Sequence, residues 1–191
     1  MDPASTPLNL SGKLLIAMPG MGDPRFEKSV VYLFTHSSGG AMGLIVNKPR
    51  RELQFNALLG HLDIPTGPFG QDIRVHFGGP VDHGRGFVLH SADYTSNPAT
   101  LHVDQQFAMT ATLDVLSDIA QGRGPAKSLL ALGYAGWGSG QLEQEIGQNG
   151  WLTCDADAAI VFGAADGGKW SLALKSLGIN PLSLSATAGH A

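Results

Sequence analysis

A carboxylate, an imidazole and a guanidinium sit close together in Gly78-Gly79-Pro80-Val81-Asp82-His83-Gly84-Arg85-Gly86. Asp82, His83 and Arg85 are the residue types that move a proton and hold an anion, so the stretch is a candidate acid–base and anion-binding loop between two strands. It reads equally well as a solvated turn whose glycines take backbone angles closed to other residues. A second stretch, Met18-Pro19-Gly20-Met21-Gly22-Asp23-Pro24-Arg25-Phe26, follows the first strand-like segment, where a phosphate-cradling loop would lie. Gly20 and Gly22 match the first two positions of G-x-G-x-x-G, but Arg25 stands at the third, and no Lys-Ser or Lys-Thr follows. Arg25 can still offer a fork of donors to an anion, with turn N–H groups assisting; the alternative is a tight turn closed by an Asp23–Arg25 contact. The candidate ligand-binding residues are therefore Asp23, Arg25, His83 and Arg85. A site built on them requires both loops to reach one concave surface.

Other chemistry is excluded by spacing. In Gly136-Trp137-Gly138-Ser139-Gly140, Trp137 breaks the G-x-S-x-G nucleophile elbow, and Ser139 or Gly140 reads instead as the cap of a following helix. His76, His83 and His90 recur every seven residues, yet two lie in strand-like segments and one in a loop, so they share no face. With no H-x-x-x-H, no cysteine pair and no H-E-x-x-H, no metal site is expected. The lone Cys154 reads as a small core residue. No catalytic residue and no cofactor are expected.

The elements that position these loops are legible in outline. Strands are expected at Leu14–Met18, at Val30–Phe34 and Met42–Val46 joined by a hairpin loop of about five residues, at Gly86–Ser91, Thr100–Val103 and Phe107–Met109, at Leu129–Ala135, and at Ile160–Phe162. Ile73, Val75 and Phe77 alternate with Arg74 and His76, which predicts a strand with one buried face. Helices are expected where apolar residues recur at helical spacing: Phe55, Leu58, Leu59 and Leu62; Leu113, Leu116, Ile119 and Ala120; Leu142 and Ile146; and Trp170, Ala173, Leu174 and Leu177, with Asp166 as N-cap and Gly178 at the left-handed C-cap. Strands outnumber helices and arrive in blocks with short links, which favours α+β over a doubly wound sheet.

The 191 residues suit one domain. Residues 1–9 are expected as a flexible lead-in, 10–182 as the domain and 183–191 as a mobile tail. Glycine, at 26 residues, is about twice its usual share, and charged residues are 15% against a usual ~25%. This is the composition of a turn-rich globular protein. The net charge of −4 has the wrong sign for gripping a phosphate backbone. The densest basic cluster, Lys48, Arg50 and Arg51, reads as a solvated turn around Pro49. No apolar run approaches the ~20 residues of a membrane span, no secretory signal is visible, and one unpaired cysteine points to a reducing compartment. A cytoplasmic location follows as the expectation.

These pieces in this order resemble the YqgE/AlgH family. The likeness rests on Gly12-Lys13-Leu14-Leu15-Ile16-Ala17-Met18-Pro19-Gly20-Met21 with Asp23-Pro24-Arg25-Phe26, on Gly43-Leu44-Ile45-Val46-Asn47-Lys48-Pro49, and on Gly78-Gly79-Pro80-Val81 with Arg85-Gly86-Phe87-Val88-Leu89-His90. It continues through Gly133-Tyr134-Ala135-Gly136-Trp137, Gly140-Gln141-Leu142-Glu143, Trp151-Leu152, and Trp170 with Leu177-Gly178-Ile179. The resemblance implies a bacterial cytosolic α+β protein with a barrel-like or bifurcated, mostly antiparallel β-sheet surrounded by helices. It also implies a label of transcriptional regulator, which favours a non-enzymatic regulatory protein acting through a protein partner. Two alternatives stay open: a small-anion-binding protein or enzyme using the glycine-rich loops, and a direct DNA-binding regulator. The second has little support, since no helix-turn-helix with a basic recognition helix is visible.

Overall fold

Leu14, Leu15, Ile16 and Ala17 are all buried, alternate residues serving opposite faces of one strand. The computed structural model describes residues 8–68, 70–96 and 98–187. Its strands are β1 (Lys13–Ala17), β2 (Val30–Ser37), β3 (Gly40–Ile45), β4 (Val75–Phe77), β5 (Val81–Ser91), β6 (Thr100–His102), β7 (Phe107–Thr110), β8 (Ser128–Trp137) and β9 (Trp151–Asp155). They form one curled, mostly antiparallel sheet in the order β6-β7-β5-β8-β3-β2-β1-β9, with β4 added parallel to β8. The α+β class expected from the order of elements is observed, and so is the mostly antiparallel, barrel-like or bifurcated sheet that the resemblance implied, as a curled half-barrel.

The branch point is β8. Its Ser128–Leu132 half pairs with β5 along one edge while Leu130–Leu132 pairs with β4 along the other; from Ala135 to Trp137 that second edge passes to β3. Because Ala131 is opposite both His76 and Phe87, the chain between β4 and β5 must cross from one edge of β8 to the other. Gly78-Gly79-Pro80 makes that crossing. Two inter-strand spacings amount to about 9.6 Å, and a three-residue link reaches roughly 13 Å when extended, so the path runs directly over the β8 backbone without room for a detour.

Among the described residues five α-helices accompany the sheet: α1 (Phe55–His61), α2 (Leu113–Ala120), α3 (Gln141–Gly147), α4 (Asp166–Ser176) and α5 (Pro181–Thr187). One core joins Leu14, Ile16, Tyr32 and Leu44 to Trp170, Ala173 and Leu174 of α4. A second lies on the opposite face, where Leu15, Val31 and Ile45 meet Trp137, Trp151 and Leu142. A third packs Phe55, Leu59, Val115 and Ile119 against Val88 and Leu130. A sheet covered on both faces buries every position of its central strands, and this overturns one expectation: His76, placed by alternation on an open face, is only 1% exposed.

Other departures are local. The β2–β3 strands run through the expected five-residue loop to a turn at Ser38-Gly39. Ile160-Val161-Phe162 is no strand but part of a π-helical turn, Ala159–Gly163, entered through Asp157, whose carboxylate accepts from Ala159 N–H at 2.8 Å. Short apolar runs of this length do not distinguish strand from buried helix. The ninth strand is Trp151–Asp155 instead, paired along β1. At the C-terminal end α5 runs from Pro181 to Thr187, across the expected domain end at 182 and into the expected tail, while residues 1–7 of the lead-in and 188–191 of the tail lie outside the described residues. Among the described residues no helix is long and apolar enough to cross a membrane.

Candidate functional site

Asp23 and Arg25 are brought together, with each other. Pro24–Phe26 forms a single 3-10 turn, and Asp23 caps it by accepting from Arg25 N–H at 3.0 Å. The Arg25 guanidinium then folds back onto the same carboxylate, Nη2 to Oδ2 at 2.8 Å. That hydrogen bond holds the Asp23 carboxyl below its ordinary range and raises Arg25. The donor fork is thus turned on its neighbour. The adjoining cleft of about 440 Å³ is lined by Met18–Pro24 with Ala17, Glu27 and Lys28, and includes neither His83 nor Arg85.

His83 and Arg85 lie on β5 and not in a loop. Val81 is opposite Tyr134 and Gly86 opposite Leu132, so Asp82–Arg85 form a wide exposed bulge within a continuous strand. The His83 ring stacks on Phe77 at 6.0 Å between centroids, and the Arg85 guanidinium lies 5.0 Å over the Phe87 ring. Among the described residues no hydrogen bond, ion pair or ring contact joins the Asp23–Arg25 pair to His83 or Arg85. The two segments meet only indirectly, where Lys48 Nζ donates to the Arg25 carbonyl at 2.7 Å and the Lys48 carbonyl accepts from Phe77 N–H at 2.8 Å. Since both β5 side chains are exposed, His83→Ala and Arg85→Ala are each expected to change stability by less than about 1 kcal/mol in urea denaturation. A larger loss in either variant would show that the bulge is a structural element.

A denser constellation forms around Asp166. Its carboxylate, 8% exposed at the first turn of α4, receives Lys169 Nζ at 2.9 Å, His76 Nε2 at 2.9 Å and Arg74 Nη1 at 3.1 Å. Lys169, 1% exposed, also donates to the Val46 carbonyl at 2.7 Å, and the next residue, Trp170, donates its indole N–H to the Ala17 carbonyl at 2.9 Å. The start of α4 is therefore fastened to the ends of β1 and β3. Burial acts to raise the Asp166 pKa, yet hydrogen bonds and charge from His76 and Lys169 outweigh it and hold the carboxyl well below the usual carboxylate range. Burial pulls Lys169 the other way, below an ordinary lysine, with Asp166 offsetting it in part. The asymmetry is physical: the carboxylate has three donors, the ammonium one acid and one carbonyl.

The spacing of these residues in the sequence does not reveal the cluster. Asp166 reads as a helix cap and Arg74 and His76 as a solvated strand face; instead the cap position is Ala165 and Asp166 turns inward. The available signal was the pairing of Asp166 with Lys169 one helical turn later, together with two basic side chains on the same side of one strand.

A family model described as AlgH-like matches residues 14–182. The chain is 60% identical over 185 residues to a UPF0301 protein of Ruegeria pomeroyi and 57% identical over 184 residues to one of Cereibacter sphaeroides, in each case covering 96% of this chain and all of the relative. Among solved structures it is similar to the solution structure of the AlgH protein from Pseudomonas aeruginosa, with a TM-score of 0.78 and 46% identity over 98% of both chains. A Corynebacterium diphtheriae protein at 20% identity shares the fold, with a TM-score of 0.69 over 96% of this chain and 94% of its own.

Proposed function

The chain belongs to the AlgH-like family, and from that membership we propose that it is a non-enzymatic regulatory protein of the bacterial cytoplasm that acts by docking a protein partner. The observation that carries this reading is an apolar cleft of about 410 Å³ between α1, α2 and the β5–β8 face, lined by Leu58, Leu62, Val88, Leu113, Leu116 and Leu130. Its rim leaves Leu113 58% exposed and Leu62 37% exposed. Grouped apolar side chains left in water mark surfaces that gain from being covered.

The state of the reactive side chains is consistent with a role other than catalysis. Ser139 donates its hydroxyl to the Ser38 carbonyl at 2.6 Å, and burial raises the Cys154 thiol above its ordinary pKa. His36 accepts from Leu10 N–H at its Nδ1, which leaves Nε2 to donate to Glu143 at 2.5 Å. Ser139 and His36 are thus committed to internal contacts, and Cys154 is buried.

The test replaces Leu62 and Leu113 with aspartate. A protein that co-purifies with the parent chain from its own cells should be lost from the double variant by at least tenfold, while the thermal melt stays unchanged because both side chains are exposed. Equal retention by parent and variant, or no reproducible partner for the parent, would remove the reading. A mobility shift with duplex DNA at low salt, where electrostatic binding is strongest, would move the regulatory role to direct DNA contact.

A further inference from the structure

Two clefts meet at Asp166 and Gly167. One, of about 450 Å³, carries Arg50, Arg51, Gln54 and Arg74 on its walls; the other, of about 360 Å³, carries Lys28 and Lys48. With Lys169 buried behind them, six of the chain's twelve Lys and Arg gather at this one groove, against four of its sixteen acids, Glu27, Glu52, Asp72 and Asp166. The groove is positive on a chain whose net charge is −4. From this the geometry points to a binding site for a phosphate-bearing small molecule, centred on Arg51 and Arg74.

The donors are in the right state. Arg51 is exposed and has no hydrogen-bond or ion-pair partner among the described residues. Arg74 is half exposed and commits one amine to Asp166 at 3.1 Å and the other, at 3.4 Å, to the Ala164 carbonyl. A guanidinium carries five N–H donors, so each fork retains donors for oxygens arranged as in a phosphate. Asp166 does not cancel the site, because Lys169 and His76 already share its carboxylate from the buried side. Behind the arginines, Pro49 and Leu53, both partly exposed, line the same cleft over the buried Phe55, Ile73 and Val75. A floor of that kind suits the carbon body of a phosphorylated metabolite better than phosphate alone, and the cleft volume falls within the range of small-molecule sites, about 300–1,000 Å³. None of the residues lining the two clefts lines the apolar docking cleft, so this site stands or falls separately from the partner reading.

Titration of the intact chain with inorganic phosphate, pyrophosphate and ribose 5-phosphate, followed by NMR shifts and calorimetry at fixed ionic strength, tests it. Saturable shifts are expected at Arg51, Gln54, Arg74 and Gly167, with ribose 5-phosphate tighter than inorganic phosphate; the reverse order would assign the groove to free phosphate and overturn the metabolite proposal. Arg51→Gln and Arg74→Gln should each weaken binding about tenfold, the loss typical of a charged hydrogen bond, and Arg123→Gln, outside the groove, should not. Arg51→Gln is the decisive variant, since the side chain holds nothing in the fold. Shifts that saturate elsewhere, a non-saturable response matched by chloride, unaltered affinity in Arg51→Gln, or binding only by an oligonucleotide or phosphopeptide would each overturn the proposal.

Discussion

Asp166→Ala is expected to cost about 3–5 kcal/mol of stability, the range for removing one partner of a buried ion pair. The cost comes from what stays behind. Lys169, 1% exposed, would keep its ammonium inside the protein with only the Val46 carbonyl to receive it, and His76 would lose the acceptor of its Nε2 proton. Urea denaturation of the variant measures the loss, and Asp166→Ala/Lys169→Met checks its origin, because replacing both members by apolar groups avoids stranding a charge and should recover much of it. If the double variant is as unstable as the single one, the penalty lies in the position of α4 and not in the charge. The same cluster sets a pH dependence. The folded Asp166 pKa lies below its unfolded value of ~3.9, so its stabilisation is complete above the unfolded value and is lost as pH falls through the folded one. The parent should therefore lose stability from about pH 4 downward more steeply than Asp166→Ala.

How much of this could be read from the chain depended on sequence distance. Most of the α4 stripe was legible: Trp170, Ala173 and Leu174 are buried as their spacing requires and Gly178 takes a φ of 75° at the helix end, while Leu177, expected on the same stripe, is 41% exposed at the C-cap. The Asp23–Arg25 turn was legible for the same reason: its partners are two residues apart. Asp166 was misread as a cap because the partners that turn it inward, Arg74 and His76, lie some ninety residues away in sequence. Alternation held at Arg74, which is half exposed, and failed at His76, 1% exposed, where a strand covered on both faces obeys no half-buried pattern. The groove inherits this history: Lys48, Arg50 and Arg51 read as a solvated turn until Arg74 and α4 are placed beside them.

Gly79→Ala is expected to prevent folding, a loss beyond the 4–5 kcal/mol reached by few single substitutions. A Cβ at Gly79 would lie 2.0 Å from the Tyr134 carbonyl carbon and 2.3 Å from Ala135 N, in a residue whose φ is already 155°. The neighbouring crossings are as tight, with a Cβ at Gly78 falling 2.2 Å from the Gly133 carbonyl oxygen and one at Gly133 falling 2.5 Å from the Gly79 oxygen. Apart from the Gly79 oxygen, which belongs to the link itself, these are backbone atoms of the inner strand β8, which cannot yield without breaking its pairing with β4 and β5. Gly20 separates this from conformational preference alone. Its φ is 82°, yet nothing lies within 4 Å of where a Cβ would stand, so Gly20→Ala should cost only about 1–2 kcal/mol. Soluble yield and cooperative urea unfolding distinguish the two. A Gly79→Ala protein that unfolds cooperatively and as late as Gly20→Ala would mean that the link can leave the β8 backbone, and the short crossing from one edge of β8 to the other would then not be what the two glycines provide.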